Sequence, residues 1–342
     1  MRQGVQNYAS RIIDTREQLK YVQRPVAVKR EISVIVVSYN TRELLLECIA
    51  SVLENRKSVE IEIVIIDNAS TDGSVEAVRG LFPELSILEN GSNRGFAAAC
   101  NQGIQASRYE FILLLNSDAR LLPGALEALL DCMANERCAA AGCRVLSRNG
   151  GESMVAMNFL TPFNQALELA GVGKLLGSKA VRRTHPVESG DEPVDCSVDW
   201  IEASCLLLRR SALNETGFLD ERFFMYSEDE DLCFRLRANG GQVCFTKSGS
   251  VIHHGGASAE KDRTRMLVQF YLSQMRFLQK HRGSLSVEAF ALANQAVLAL
   301  KRIHRVLTGR SVESKNLAAR LEALQAAIRL FREARDLERS SV

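Results

Sequence analysis

From residue 32 the chain alternates short, continuously apolar runs with stretches whose apolar positions recur three and four residues apart. ISVIVVSY (32–39) has the length and hydrophobicity of a buried strand, IEIVIID (61–67) reads as a second strand, and LSILEN (85–90) and FILLLNSDA (111–119) continue the series. Between them, ELLLECIASVL (43–53), with Leu45, Leu46, Ile49, Val52 and Leu53 apolar, has helical spacing, as do SVEAVRGLF (74–82) and FAAACNQGIQA (96–106). The alternation predicts an α/β fold, a doubly wound, mostly parallel sheet with helices on both faces.

Parallel connections bring the carboxyl ends of the strands to one edge, where ligands bind. Polar residues stand at three of those ends: Ser38, Tyr39 and Asn40; Asp67 and Asn68; Asn116, Ser117 and Asp118. Each group alone also suits a turn or a helix cap. Three on one edge point to a cleft.

Further along, FFMYSEDEDLCFRL (223–236) sets four carboxylates, Glu228 to Asp231, directly after an apolar run. Ser227 and Glu230 have the spacing of a capping box, and Asp231 stands four residues before Arg235, as in a helical ion pair. A first helical turn favours ionised acids. Glu228 and Asp229 are left for other work. Residues 147–196 are polar, Gly-rich and aperiodic, which predicts a long loop over the cleft, of the kind that often serves as a functional lid.

After Ser258 the pattern is helical to the end, starting with 265–281. Residues 287–307 join a broad apolar face to Lys301, Arg302, His304 and Arg305, which suits an interfacial helix on anionic lipid and equally a helix docked on the core. Leu317, Leu321, Leu324, Ile328 and Phe331 form an apolar seam, predicting pairing with another helix or another subunit, a homo-oligomer through C-terminal helices.

At 342 residues, 46% hydrophobic and 25% charged, the chain can bury a full-sized core. Its net charge of +2 hides basic ends: seven Lys/Arg against two acids in residues 1–30, and sixteen against eight in 259–342. The acidic centre argues against nucleic acid along the body. It suits a metal-using core whose ends touch an anionic membrane surface. The nine cysteines lack paired metal-ligand spacing, so free buried thiols in a reducing cytosol are expected. Neither a signal peptide nor an anchor is expected at the N-terminus, and Ala289 to Leu300 is too short to span a bilayer. The expected location is cytoplasmic, peripheral on the inner face of the cell membrane.

SVIVVSYN (33–40), VIIDNASTDGS (64–74), NRGFAAACNQGI (93–104) and LLLNSDA (113–119), in this order and spacing, resemble the nucleotide-binding half of the family 2 inverting glycosyltransferases of A-type fold. DWIEASCLLLRRSAL (199–213), GFLDERFFMYSEDEDLCFRLRANGGQV (217–243) and VIHHGGAS (251–258) resemble the acceptor half of its rhamnosyltransferase-like branch. The resemblance covers about residues 31–280. It divides the chain into a basic extension (1–30), a glycosyltransferase domain with a nucleotide-binding half (31–146) and an acceptor half (147–280), and a helical C-terminal extension (281–342).

The resemblance implies a nucleoside diphosphate sugar donor and a glycan or lipid-linked acceptor in cell-surface polysaccharide synthesis. Ser38, Tyr39, Asn40, Asp67 and Asn68 would hold the base and ribose, and Asn93, Arg94 and Asn101 would lie along the nucleotide, with Arg94 suited to phosphate. The family's Asp-x-Asp metal motif stands here as Asn116-Ser117-Asp118. Asp118, with His253 and its rival His254, would bind Mg(II) or Mn(II). Asp229 would be the base with Glu228 in support, and Trp200, Glu202, Phe224 and Tyr226 would face the acceptor, although Trp200 and Phe224 also suit a core. The favoured donor is dTDP-rhamnose, with a UDP-hexose or UDP-galactofuranose as the alternative. A nucleotidyltransferase would need a Gly-rich basic phosphate loop after the first strand, which VVSYNTRE is not. A non-catalytic carbohydrate-binding or scaffold protein needs neither Asp118 nor Asp229.

Overall fold

The computed structural model describes residues 30–57, 59–153, 156–171, 194–195, 198–255 and 263–340. The basic extension and much of the expected 147–196 loop lie outside the described residues. β1 (Glu31–Ser38), α1 (Arg42–Glu54), β2 (Glu60–Asp67), α2 (Ser74–Leu81), β3 (Ser86–Glu89), α3 (Phe96–Ala106) and β4 (Phe111–Asn116) follow the expected alternation. Next come β5 (Ala119–Leu121), α4 (Ala125–Met133), β6 (Cys138–Leu146), β7 (Glu152–Ser153), β8 (Ala156–Met157) and α5 (Asn164–Ala170). β9 (Val194–Asp195), β10 (Trp200–Ile201), β11 (Cys205–Arg209), α6 (Arg210–Thr216), α7 (Glu228–Ala238) and β12 (Gln242–His253) complete the sheets. α8 (Arg263–Arg282), α9 (Ser284–Leu307) and α10 (Ser311–Ser340) close the chain.

The main sheet has the order β3-β2-β1-β4-β11-β6-β12-β5. β3, β2, β1 and β4 are mutually parallel, β11 runs antiparallel between β4 and β6, and β12 is parallel to β6. Ile32, Val34, Ile35 and Val36 of β1 and Ile112 to Leu115 of β4 are buried on both faces, which is why these strands read as unbroken apolar runs. The expected strand 111–119 stops at Asn116, whose N–H turns to the carbonyl of Ser204 at 3.1 Å. Ser117 and Asp118 form a turn, and the chain re-enters as β5 beside β12. That register sets Ala119 opposite His253.

A second apolar core joins α8, α9 and α10 to Leu160 and Phe223. Leu324, Ile328 and Phe331 are buried in it, so of the two expected partners, another helix or another subunit, helices α8 and α9 of the same chain take up the seam. A second copy is not needed to cover it. Seven cysteines are free and buried, but Cys244 is disulfide-bonded where β9 runs beside β12, so the expectation of free thiols throughout does not hold. The stretch expected as an aperiodic loop contains β7, β8, α5 and β9 in its described parts. Among the described residues, no helix is long and apolar enough to cross a membrane.

Candidate active site

The ends of β1, β2 and β4 converge through a hydrogen-bonded chain of small polar groups. The Thr41 hydroxyl lies 3.2 Å from that of Ser38 and 2.9 Å from that of Ser117. The Asn40 Oδ1 accepts from the Thr71 amide at 2.7 Å, and Asp67 Oδ2 accepts from the Ser70 amide at 2.9 Å. Asp67 Oδ1 is buried without a hydrogen-bond partner, so it remains available to a donor on a ligand. Asn68 ties the edge to α3 through its amide, which donates to the Gly95 carbonyl at 3.1 Å.

The non-glycine residues with left-handed backbone among those described are Asn40, Ala69, Tyr226 and Ser227. Two lie on this edge and two directly precede the four carboxylates. Conformations of this kind cost about 1–3 kcal/mol each and gather at functional sites. Gly95 joins the two halves: at φ +84°, a Cβ there would stand 2.4 Å from the Phe224 carbonyl oxygen, which accepts from the Phe96 amide at 2.7 Å.

The β5–β12 register brings Asp118 to His253, with Oδ1 and Nε2 3.0 Å apart and the Asn116 carboxamide 3.2 Å from the same nitrogen. Burial alone pushes the Asp118 carboxyl up, but the hydrogen bond and charge of His253 outweigh it and hold the group below its ordinary value. Burial disfavours the charged imidazole in turn, yet Asp118 raises His253 overall. The two donors fit one divalent ion, because ligands about 2.1 Å from a metal and at right angles to each other lie about 3.0 Å apart. They form a partial set, and no group of three or more His, Cys, Asp or Glu among the described residues could hold a metal by itself.

Beside this pair opens a cavity of about 640 Å³ that reaches from Asn116 at the end of β4 to Glu228 and Asp229. Trp200, Glu202 and Tyr226 line it as well. Glu202 is open to the cavity, but the surrounding protein raises its carboxyl, with His253 opposing and Asp118 adding to the shift. Asp229 accepts from the Ala203 amide at 2.9 Å and the Glu230 amide at 2.8 Å. Burial nevertheless pushes its carboxyl up to about 7, against those two amides and with the charges of Glu202 and Glu230 behind it. Glu228 is driven well above the ordinary range by burial and by the charge of Asp229, and its Oε2 is buried without a partner. Burial and mutual repulsion thus raise both neighbouring acids, which favours a shared proton over two adjacent charges.

The description "Glycosyl transferase family 2" matches residues 33–180, and "Glycosyl transferase family group 2" matches residues 111–282. An N-acetylglucosaminyl-diphospho-decaprenol L-rhamnosyltransferase of Mycobacterium tuberculosis is 30% identical over 266 residues, 73% of this chain and 85% of the relative. The chain belongs to glycosyl transferase family 2. A low-salt glycan biosynthesis hexosyltransferase of Haloferax volcanii is 24% identical over 253 residues, covering 72% of this chain and 75% of that one. Among solved structures, a mannosyltransferase from Pyrobaculum calidifontis, in complex with GDP-Man and Mn2+, matches with a TM-score of 0.55 and 16% identity over 95% of both chains. That likeness shows the A-type fold.

Within this family 2 glycosyltransferase, several expected site residues are differently engaged. The Asn101 carboxamide bonds both backbone groups of Leu219 and the Glu221 carboxylate, which makes it a clamp between halves with its polar atoms already in use. Phe224 seals against Gly95 and stands under the Arg265 guanidinium, and it is not among the residues lining the cavity. Trp200 lines the cavity but is buried, with its indole N–H donating to the Asn158 carbonyl at 3.1 Å. Asn93 caps the Gly95 amide at 3.0 Å, and Arg94 is exposed beside it.

The capping box is absent. Ser227 has a left-handed backbone where an N-cap needs an extended one, its side chain makes no cap bond, and Glu230 instead accepts from the Leu160 amide at 2.6 Å. Asp231 pairs with Arg235 at 2.9 Å as expected, and also with His281 and Lys280 at 2.7 Å each. Sequence reading missed Gln165 and Glu168 on α5, Phe270 and Gln274 on α8, and Arg320 on α10, all of which line the cavity. Ordinary amphipathic spacing hides them, and no local signal marks them.

Proposed function

We propose that this glycosyltransferase is inverting and moves a sugar, L-rhamnose from dTDP-rhamnose in the favoured reading, to a lipid-linked glycan in cell-surface polysaccharide synthesis, at the inner face of the cell membrane. The observation that carries the reading is that the buried Asp229 carboxyl, pushed up to about 7, lines the same cavity as Asn116 at the end of β4. In this reading the Asp229 carboxylate takes the proton of the acceptor hydroxyl as its oxygen bonds to the anomeric carbon. The bond from that carbon to the diphosphate breaks from the opposite side, which inverts the centre. Burial favours the protonated form of Glu228, in which it would donate a hydrogen bond to the acceptor without repelling the base.

Ser38, Tyr39, Asn40, Asp67 and Asn68 would bind base and ribose, with Asp67 Oδ1 free to accept from a pyrimidine ring N–H. Asp118 and His253 would hold Mg(II) or Mn(II), whose role when bound is to neutralise the departing diphosphate. The rhamnosyl donor and the diphospho-lipid acceptor are supported by the mycobacterial relative's name. Arg320, the only basic side chain among the described residues lining the cavity, gives an acceptor phosphate a partner. A panel of dTDP-rhamnose, UDP-hexoses and UDP-galactofuranose, assayed for product anomer with wild type and Asp229→Asn, tests the proposal. A retained anomer or an unaffected variant would refute the mechanism, and turnover only with a UDP-sugar would replace the donor.

A further inference from the structure

Twelve large apolar side chains are exposed among the described residues, and six of them lie on one helix, α9: Leu285, Leu292, Leu300, Ile303, Val306 and Leu307. They are between 56% and 87% exposed, far more than a packed helix face allows. Leu285, Leu292, Leu300, Ile303 and Leu307 follow one another at steps of seven, eight, three and four, which keeps them on one side of the helix over about 33 Å. Val287, Phe290, Ala291, Asn294 and Leu298 occupy the opposite, buried side against α8 and α10. The helix is therefore apolar on two faces, and the fold covers only one. Exposed apolar stripes of this extent mark an interaction surface.

Charge distinguishes the partner. Arg302 and His304 are exposed on either side of Ile303, Arg310 is exposed just beyond the helix end, and residues 259–342 carry sixteen Lys/Arg against eight acids. A second copy of the chain would bring the same positive charge. An anionic bilayer is complementary, with the leucines in the acyl boundary and the cations among the headgroups. We infer that α9 lies in the surface of an anionic membrane through the Leu285–Leu307 stripe.

The helix is also tied to the catalytic cavity. On its inward side, Lys301 Nζ donates to the Leu169 carbonyl, and Leu169 lines the cavity wall formed by α5. The stripe and the acceptor cavity are thus separated by about one helix diameter, roughly 10 Å. Binding through α9 holds the cavity at the lipid surface; this second step rests on the lipid-linked acceptor proposed above.

Vesicle flotation without substrates tests the membrane contact independently of any activity. Wild type is expected to float with phosphatidylglycerol-containing vesicles, more weakly with pure phosphatidylcholine, and less at high salt. Leu292→Glu/Ile303→Glu should lower partitioning by at least about tenfold with its melting temperature unchanged. Turnover of a soluble acceptor should persist in this variant while turnover of a vesicle-embedded acceptor falls. Arg302→Glu/Arg310→Glu, which leaves the apolar stripe intact, should weaken binding to anionic vesicles only. Wild type that does not float, or a double Glu variant that floats equally, overturns the inference. So does a dimer by light scattering, without vesicles, that the double Glu variant converts to monomer. Normal flotation with no turnover of any lipid-linked acceptor keeps the surface and removes the proposed acceptor.

Discussion

Asp229→Asn should abolish most turnover and at the same time make the protein more stable at alkaline pH. The wild-type carboxyl sits in full burial with its pKa moved from 3.8 to about 7. General-base catalysis contributes about 10²–10⁴-fold, so transfer should fall by that order while donor affinity holds. In wild type, kcat/KM should rise with pH through about 7, reaching only about a tenth of its plateau one unit below, because the base must be deprotonated. The stability effect has the opposite sense. A carboxyl with a higher pKa folded than unfolded binds more protons in the folded state, so wild-type stability falls as pH rises from 3.8 to about 7. Three units correspond to at most about 4 kcal/mol. Asn removes that penalty but leaves one of the Ala203 and Glu230 amides without its acceptor, at about 1–3 kcal/mol. The net gain at pH 8 is about 1–3 kcal/mol, and it should shrink by about 2–3 kcal/mol on going to pH 5. Paired thermal melts and kinetics at pH 5, 6, 7 and 8 read both effects. Near-normal turnover, or a melting-temperature difference that does not grow with pH, refutes the reasoning.

Glu202→Gln removes a charge that raises Asp229, so the acid limb of the kcat/KM profile should move to lower pH; an unmoved limb would separate the two residues electrostatically. Asp118→Ala should abolish the metal dependence of donor binding measured by calorimetry with and without Mn(II), and an unchanged metal response would take Asp118 out of the metal site. Glu230→Ala leaves the buried Leu160 amide without its acceptor and should cost about 1–3 kcal/mol in denaturant melts. Glu230→Gln should recover most of that loss, and equal destabilisation by both would show that this bond is not what Glu230 contributes.

The parallel part of the sheet was legible because each of its buried strands announces itself as a continuous apolar run, and β1, β2 and β4 end in polar residues that share an edge. The pairing of Asp118 with His253 was not legible from local pattern, since the β5–β12 register alone brings together residues 135 apart in sequence. Only the family resemblance reached it. Ser227 and Glu230 misled because a capping box assumes an extended N-cap, and backbone conformation at Ser227 is set by the Tyr226–Ser227 corner instead. The seam at Leu324, Ile328 and Phe331 showed correctly that something packs there, but periodicity does not say whether the partner is another chain or α8 and α9. Arg320 and Gln165 were invisible for a similar reason: helical spacing identifies a face, and tertiary packing decides which position on it borders a cavity.

The second core has a consequence for how the enzyme is made. Phe223 and Leu160, which flank the four carboxylates and the cavity wall, are buried with Tyr271, Phe277, Leu324 and Phe331, so this core cannot close before α10 leaves the ribosome. The parallel half of the sheet needs nothing beyond residue 116 for its strands and is able to form much earlier. A nascent chain is thus competent to shape the edge formed by β1, β2 and β4 while the cavity wall is still missing α10. A truncation at residue 282, where the family match ends, would expose the apolar side of α8 and leave Tyr271 and Phe277 as an aggregation surface. Arg320, carried on α10, therefore reaches the cavity well after the parallel strands have been synthesised.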